Sequence, residues 1–283
     1  MMLFAATVVL YNPDETVMNN IRSYYDHMHL ILAIDNSDNP CKNFIESVKT
    51  LPKIVYIDNG GNKGIAHALN IAANKAIELG HQWLLTMDQD SFFDVTMLET
   101  YLNCWNKYPN KENIAVFSPI HIVLKDQTSH TTHCTVINKL HVMTSGNILN
   151  LNIFKHLNGF NEALFIDEVD HEYCLRAKLA HFSILEFSNI ALNHTLGESV
   201  VIQHHGQTIE SSTHSPKRFY YITRNRLYMW KTYHPLFPNL VEIQFLSIVK
   251  TLIFPLIYHS KKIQRFFCIL RGIVHFLIGR YGK

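Results

Sequence analysis

Four apolar segments in the first 90 residues each end in a polar turn, and this pattern constrains the fold more than any other feature of the chain. The segments read LFAATVVL, LILAID, KIVYID and WLLTMD. Helical stretches separate them, and the stretch before the fourth segment ends at Gly80, a residue type favoured just past a helix C-terminus. Buried strands that alternate with helices predict an α/β protein with a mostly parallel sheet and helices on both faces.

The polar turns follow the carboxyl ends of these strands, which is where open α/β sheets bind ligands. They contain Tyr11, Asp35, Asp58 and the pair Asp88 and Asp90. Two carboxylates one residue apart repel each other unless a positive charge lies beside them. A turn or a helix cap would explain an isolated Asp-x-Asp. Four polar strand ends at one edge of the sheet favour a binding site instead.

A second acidic segment, FIDEVDHEYCLRAKLA, predicts a helix over residues 167–180 with Asp170 and Glu172 in its first turn. An acidic first turn also suits the helix dipole, so a purely structural interpretation stays open. Clustered carboxylates suit Mg²⁺ or Mn²⁺, which would bridge to phosphate oxygens of a substrate. A further carboxylate could deprotonate an attacking hydroxyl. The acids therefore indicate a displacement at a centre that bears a diphosphate.

The end of the chain is apolar and basic, with no acidic residue after Glu242. Lys250 and Pro255 interrupt the apolar residues before they reach the length of a membrane span. Beyond Lys261, the apolar side chains fall on one arc of a helical wheel, which predicts an amphipathic helix on an anionic membrane surface. A helix packed on the core is the alternative. We expect a main domain over residues 1–240 and a helical tail over 241–283, with no nucleic-acid partner. The arc comprises Ile263, Phe266, Phe267, Leu270, Ile273, Val274, Leu277 and Ile278.

The five cysteines are widely spaced and include no C-x-x-C pair. This spacing argues against a disulfide framework and against a structural zinc site, and it fits a reducing cytosol. The first apolar segment has no basic region before it, so it is expected to be a strand and not a signal peptide. We therefore expect a cytoplasmic protein.

Eight segments occur in order over roughly residues 3–230: VVLYNPDE, IDNSDN, IDNGGNKGIAHALNIAANKA, WLLTMDQDS, TSGNILN, GFNEALFIDEVDHEYCLRAK, NHTLGE and SPKRFYYITRNRLY. Together they resemble the family 2 glycosyltransferases of bacterial polysaccharide synthesis, particularly the rhamnosyltransferase-like branch. The resemblance implies a GT-A fold and an inverting, metal-dependent transfer from a nucleotide-sugar to a hydroxyl. It implies dTDP-L-rhamnose as the leading donor. It also implies a lipid-linked saccharide acceptor at the inner face of the cytoplasmic membrane.

The resemblance also implies which residues bind the donor. Asp35 matches the position that holds the base of the nucleotide, and Asn62 and Gly64 match a loop beside the nucleotide and its sugar. Arg224 would be a charge partner of the diphosphate. The full donor-binding set is Tyr11, Asp35, Asn62, Gly64, Asp88, Arg224 and Asn225.

The remaining roles concern the metal, the base and the acceptor. Asp90 and His194 match the metal ligands. Asp170 matches the catalytic base, with Glu172 as the next acid, although the acid that usually precedes the base is a valine here. Ser145 lies where an acceptor could dock.

Other functions remain open at this point. The donor could be UDP-galactofuranose or a UDP-hexose. A nucleotidylyltransferase would share a nucleotide-binding α/β core and carboxylate-bound metals, but its usual glycine-rich loop with Arg and Lys is missing from LYNPDETVMNN. A non-catalytic membrane-bound module would tolerate changes at Asp90 and Asp170.

Overall fold

The computed structural model describes residues 4–122, 133–194, 199–204, 207–212, 214–238 and 260–283, together with Ile253 and Leu256. Its contacts divide the chain into two compact units. The first contains residues 1–161 and 170–195, and the second contains residues 162–169 and 196–283. The expected boundary at residue 240 and most of residues 241–259 lie outside the described residues. His130 and His133 could be read from the sequence as a pair of metal ligands, and His130 also lies outside the described residues.

The first unit begins with alternating strands and helices. Strands β1–β4 are parallel and lie in the order β3-β2-β1-β4. Gly80 lies just past the end of the third helix, as expected. The elements are β1 (Ala5–Leu10), α1 (Thr16–Tyr25), β2 (Leu30–Asp35), α2 (Lys42–Lys49), β3 (Ile54–Asp58), α3 (Ile65–Glu78), β4 (Trp83–Asp88), β5 (Ser91–Phe92) and α4 (Val95–Lys107).

The sheet continues beyond β4 with mixed strand directions, so it is less parallel than predicted. Strand β8 pairs antiparallel with both β4 and β6, while β6 and β9 are parallel. Strands β5 and β7 pair antiparallel with β9. Further elements of this unit are β6 (Ile114–Ile122), β7 (Val136–Lys139), β8 (Asn147–Asn150), α5 (Leu151–His156), α6 (Val169–Leu179, whose first residue falls in the second unit) and β9 (Ser183–His194).

The strand register places the polar strand ends side by side. Asp35 pairs with Leu10 on one side and with Asp58 on the other, and Val9 pairs with Asp88. Because these strands are parallel, the turns that follow them lie along one edge of the sheet. The clustering of the polar strand ends is therefore confirmed.

The interior of the first unit is aromatic. Trp105 lies edge-on to both Phe4 and Trp83, and Phe117 stacks on Phe187 with 5.7 Å between ring centroids. Such large apolar side chains contribute most of the burial that stabilises a sheet of this size.

A disulfide bond joins Cys104 on α4 to Cys134, which precedes β7. The cysteine spacing argued against a disulfide framework and did not predict this bond. Cys41, Cys174 and Cys268 are free thiols.

The second unit contains the segment Glu162–Val169, the hairpin β10 (Ser199–His204) and β11 (Gln207–Ser212), and helices α7 (Pro216–Tyr233) and α8 (Lys262–Leu277). Ser215 caps α7, since its hydroxyl accepts a hydrogen bond from the Arg218 N–H.

Helix α8 packs closely on α7 along one face. A Cβ atom at Gly272 would lie 2.7 Å from the carbonyl oxygen of Tyr220, so only glycine permits this approach. The hydroxyl of Tyr220 also bonds the Nδ1 atom of His275 at 2.8 Å. The predicted helix is therefore present, and its less apolar face contacts protein.

The apolar arc of α8 faces away from this contact. All eight of its predicted members are exposed, from 36% at Ile273 to 73% at Ile263. None of the helices in the described part of the chain has the length and hydrophobicity needed to cross a bilayer.

Candidate functional site

Three of the predicted residues form a compact group of metal-ligand type. Asp88 ends β4, Asp90 follows two residues later, and His194 ends β9. One potential ligand atom from each lies within 4.8 Å of the other two. Strand β5 explains the proximity, because Ser91 pairs with His194 across the antiparallel ladder. The structure therefore brings together the two acids and the histidine that the sequence singled out.

The donor atoms in this group fit a divalent cation. The Oδ1 atom of Asp90 is buried, has no hydrogen-bond partner among the described residues and lies 3.5 Å from the Nδ1 atom of His194. The Ser91 hydroxyl lies 2.8 Å from the same Nδ1. Two carboxylates and one imidazole suit Mg²⁺ or Mn²⁺.

Asp170 lies in the first turn of α6, as predicted, and is held by the loop that precedes β8. Its Oδ2 atom accepts hydrogen bonds from the N–H and the hydroxyl of Thr144, at 3.1 and 3.3 Å. Its side chain is only partly buried. Its Oδ1 atom accepts the His171 N–H at 2.9 Å, so both carboxylate oxygens are held while the group keeps access to the surface.

Glu172 has a different environment from Asp170, although both were predicted to be catalytic. Its side chain is 2% exposed, and its two carboxylate oxygens accept hydrogen bonds from the Arg176 Nε at 2.8 and 2.9 Å. Arg176 also donates to the carbonyls of Leu157 and Gly159. Through Arg176, the ion pair with Glu172 connects α6 to the end of α5, so the observed contacts of Glu172 are structural.

Ser145 was expected near an acceptor, but its side chain is buried and braces the aspartate pair. Its hydroxyl accepts a hydrogen bond from the backbone N–H of Asp88 at 3.0 Å. Its carbonyl accepts one from the Nε2 of His121 at 2.7 Å, so this nitrogen carries a proton. Burial lowers the pKa of His121, which keeps the ring neutral in this position.

Asp35, the expected partner of the nucleotide base, is fully buried at the end of β2. Its Oδ1 accepts from the Ser37 N–H and its Oδ2 from the Tyr56 hydroxyl, at 2.8 and 2.9 Å. Burial, and then the hydrogen bond to Asp35, raises the pKa of Tyr56, so the phenol stays a donor. The orientation of Asp35 is therefore fixed from two sides.

The loop before α3 carries Asn62 and Gly64 and is fixed by side-chain amides. Asn62 accepts the N–H of Gly64 at 3.0 Å, and Gly64 has a φ of 94°, which favours glycine. The amide of Asn36 donates to the Gly64 carbonyl and accepts from Asn59. Asn36 and Asn59 are buried and connect this loop to the ends of β2 and β3.

Arg224 and Asn225 lie in the interior of the second unit, where both side chains have no exposed surface. Arg224 donates to the carbonyls of Ala163, Leu164 and Gly282. The amide of Asn225 donates to three carbonyls of the same segment, those of Leu164, Ile166 and Asp167. These contacts hold the segment in place, and the donor-binding role expected of both residues stays a prediction.

The segment that they hold has an unfavourable backbone. Phe165, Asp167 and Glu168 all have φ between 64° and 67°, a region that costs non-glycine residues about 1 kcal/mol or more each. Asp167 and Glu168 are the acids just upstream of Asp170, and they pair with Arg218 and Arg226. Their carboxylates are thus occupied by ion pairs.

Sequence reasoning missed Thr144, Gln89, Ser91, His121 and Tyr56, which orient the predicted residues. Gln89 is the middle residue of the Asp-x-Asp, and its side chain bonds the backbone of Tyr11. Thr144 and Ser91 are chain neighbours of predicted residues, which was the only signal available for them.

Comparison with known proteins shows the family to which this chain belongs. Residues 14–174, more than half of the chain, match the family described as Glycosyl transferase family 2. The chain is 28% identical over 268 residues to dTDP-rhamnosyl transferase RfbF of Shigella flexneri. This match covers 88% of this chain and 87% of that protein.

Solved structures show the same fold at low identity. GalNAc-T7 with UDP, GalNAc and Mn²⁺ superposes with a TM-score of 0.56 and 13% identity, over 80% of this chain and 51% of that one. S. aureus TarS 1–349 in complex with UDP-GlcNAc superposes with a TM-score of 0.52 and 15% identity, over 81% of this chain and 67% of that one. The chain therefore spans about half of the first structure and two thirds of the second. At these identities the likeness shows the fold alone, and it confirms a mixed α/β fold of the GT-A type.

Proposed function

Because the chain belongs to glycosyltransferase family 2, and is therefore a glycosyltransferase, we propose that it transfers a sugar with inversion from a nucleotide-sugar to an acceptor hydroxyl in a metal-dependent reaction. The observation that carries this proposal is the grouping of Asp88, Asp90 and His194 at the edge that also bears Asp35. A nucleotidylyltransferase is not favoured by any of these contacts.

Asp88, Asp90 and His194 are the residues that would hold the divalent cation. The chemistry that such a cation supplies is compensation of the negative charge that develops on the diphosphate leaving group. The protein's own contribution is to keep the two carboxylates in place. Ser145 holds the backbone of Asp88, and Ser91 holds the imidazole of His194.

Asp170 is proposed as the base. Its carboxylate takes the proton from the acceptor hydroxyl while the oxygen of that hydroxyl attacks the sugar carbon and the bond to the diphosphate breaks. Thr144 donates two hydrogen bonds to Oδ2 and the His171 N–H donates one to Oδ1, which leaves a lone pair of Oδ1 to receive the proton. Glu172 is less suited, since it is buried and bound by Arg176.

The proposed donor is dTDP-L-rhamnose, supported by the likeness to dTDP-rhamnosyl transferase RfbF. UDP-galactofuranose and UDP-hexoses remain the competing donors, and TarS provides a neighbour of the same fold that was solved with UDP-GlcNAc.

The proposed acceptor is a lipid-linked saccharide at the inner face of the cytoplasmic membrane, with the protein bound peripherally. The exposed apolar arc of α8 supports a lipid partner, because a water-soluble protein rarely exposes so many neighbouring apolar side chains. Lys261, Lys262, Arg271 and Arg280 are exposed around it and would attract anionic headgroups.

A thermal-shift panel tests the donor class. We expect dTDP-L-rhamnose with Mn²⁺ to raise the melting temperature more than UDP-galactofuranose or UDP-glucose does, and we expect a smaller shift in EDTA. Stabilisation by dTTP, together with release of pyrophosphate when a sugar 1-phosphate is added, would instead show a nucleotidylyltransferase. No response to any nucleotide-sugar would contradict the proposal.

A further inference from the structure

Gln89 stands between the two proposed metal ligands but its side chain is engaged elsewhere. The Tyr11 N–H donates to the Oε1 of Gln89 at 2.8 Å, and the Nε2 of Gln89 donates to the Tyr11 carbonyl at 3.1 Å. One side-chain amide thus satisfies both backbone groups of a residue 78 positions away in the chain. Asn20 on α1 additionally donates to the Gln89 carbonyl at 2.8 Å.

This pairing extends the β1–β4 ladder beyond its last backbone pair. The ladder ends with Val9 opposite Asp88. The side chain of Gln89 then provides what the next step of a strand would provide, a donor and an acceptor for Tyr11. It therefore fixes the distance between the turn after β1 and the Asp-x-Asp at the point where the sheet no longer does so.

The hydrogen bonds continue from Tyr11 towards Asp35, the proposed partner of the nucleotide base. The N–H of Asn12 donates to the Ser37 hydroxyl at 2.7 Å, and the N–H of Ser37 donates to Asp35 at 2.8 Å. Asn12 has a φ of 46°, so this turn holds a backbone conformation that needs support. In the other direction, the N–H of Asp88 donates to Ser145. A continuous chain of contacts thus runs along the edge from Asp35 to Asp88.

We propose that Gln89 is a positioning residue that couples the two ends of the donor site, the nucleoside end at Tyr11 and Asp35 and the metal end at Asp88 and Asp90. The proposal rests on the proposed function, because it assumes that this edge binds a nucleotide and a cation. Loss of the Gln89 amide should therefore weaken the binding of both the nucleotide and the cation, even when each is offered without the other.

The test is Gln89→Met, which keeps the length and approximate volume of the side chain and removes both hydrogen bonds. The matched control is Gln82→Met, the same change at an exposed position just before the other end of β4. Binding of Mn²⁺ alone is measured by electron paramagnetic resonance, and binding of dTDP in EDTA by calorimetry. Melting temperatures are recorded for both variants, and all binding is measured well below them.

We expect Gln89→Met to lower the affinity for Mn²⁺ and the affinity for dTDP by about 2- to 10-fold each, the effect of one or two lost hydrogen bonds. We expect Gln82→Met to change neither affinity. A purely structural role would lower the melting temperature and leave both affinities unchanged, which would overturn the proposal. Weakening of only one ligand would overturn the coupling as well. If the wild-type protein binds neither Mn²⁺ nor dTDP, the proposed function fails instead, so the two failures are distinguishable.

Discussion

Thr144 gives two hydrogen bonds to one oxygen of Asp170, one from its backbone N–H and one from its hydroxyl. The next residue, Ser145, accepts the backbone N–H of Asp88. Two adjacent residues of one loop therefore hold the proposed base and the proposed metal site. This arrangement fixes the proposed base relative to the proposed metal site, and a displacement requires such fixed positions.

Asp170→Asn should abolish transfer while donor binding survives. The amide keeps the shape of the carboxylate but cannot take a proton, and general-base catalysis is typically worth about 10²- to 10⁴-fold in rate. Turnover with bacterial lipid-linked saccharides is measured beside dTDP affinity. A rate within a few-fold of wild type would show that Asp170 is not the base.

Glu172→Gln serves as the control for Asp170→Asn. It weakens the buried pair with Arg176, so we expect it to lower the free energy of unfolding by about 1–3 kcal/mol, with a smaller effect on turnover by the folded enzyme. Loss of turnover in this variant alone would move the base to Glu172.

Arg224→Lys should affect stability and not donor affinity. Lysine retains the charge but cannot reach all the carbonyls that the guanidinium bonds, so we expect the free energy of unfolding to fall by about 1–3 kcal/mol. Denaturant unfolding and dTDP calorimetry are the two measurements. A large loss of dTDP affinity at unchanged stability would restore the donor-binding role that the sequence suggested.

The exposed arc of α8 should bind anionic membranes. Replacing Phe266 and Phe267 by serine removes two side chains that are 52% and 60% exposed, and we expect vesicle affinity to fall by about 10-fold or more. Co-sedimentation with phosphatidylglycerol vesicles measures it. The matched control replaces Val55 and Leu79, which are exposed outside the arc, by serine. Equal binding by both double variants would exclude the arc as the membrane contact.

His121 should contribute to the loss of stability in mild acid. Burial lowers its pKa in the folded state, so the unfolded chain binds a proton more readily. The contribution of neutral His121 to the free energy of unfolding is therefore complete above about pH 6.5, the ordinary pKa of histidine. It is lost as the pH falls through the lowered pKa of the folded state. His121→Gln keeps an N–H for the Ser145 carbonyl and cannot titrate. Melting temperatures from pH 5 to 7.5 should fall less in this variant, and identical profiles would contradict the prediction.

The sequence predicted the repeating part of the fold well, because apolar periodicity is a local signal. Strands β1–β4 and their polar ends follow from it directly. The reversal of direction at β8 was missed, since a four-residue strand gives little periodicity. The bond between Cys104 and Cys134 was missed too, because their 30-residue separation carries no local pattern.

The acids of the site were predictable because clustered carboxylates at strand ends indicate their chemistry, and His194 was predicted from the family resemblance. The residues that hold them were not. Gln89, Thr144 and Tyr56 act through hydrogen bonds to partners that lie 21 to 78 positions away. The contacts of Arg224 were not predictable for a related reason. A charged residue on a helix suggests a ligand contact, and the backbone carbonyls that occupy it become visible only in three dimensions.

The central claim is that Asp88, Asp90 and His194 form a metal site that binds the donor diphosphate. The most direct measurement is the calorimetric affinity for dTDP in Mn²⁺ and in EDTA, for wild type and Asp90→Ala. We predict that Mn²⁺ strengthens binding by about 10-fold or more in wild type, a gain of roughly 1.4 kcal/mol, and that Asp90→Ala loses this gain while its affinity in EDTA is unchanged. An Asp90→Ala protein that keeps the full Mn²⁺-dependent gain would contradict the claim.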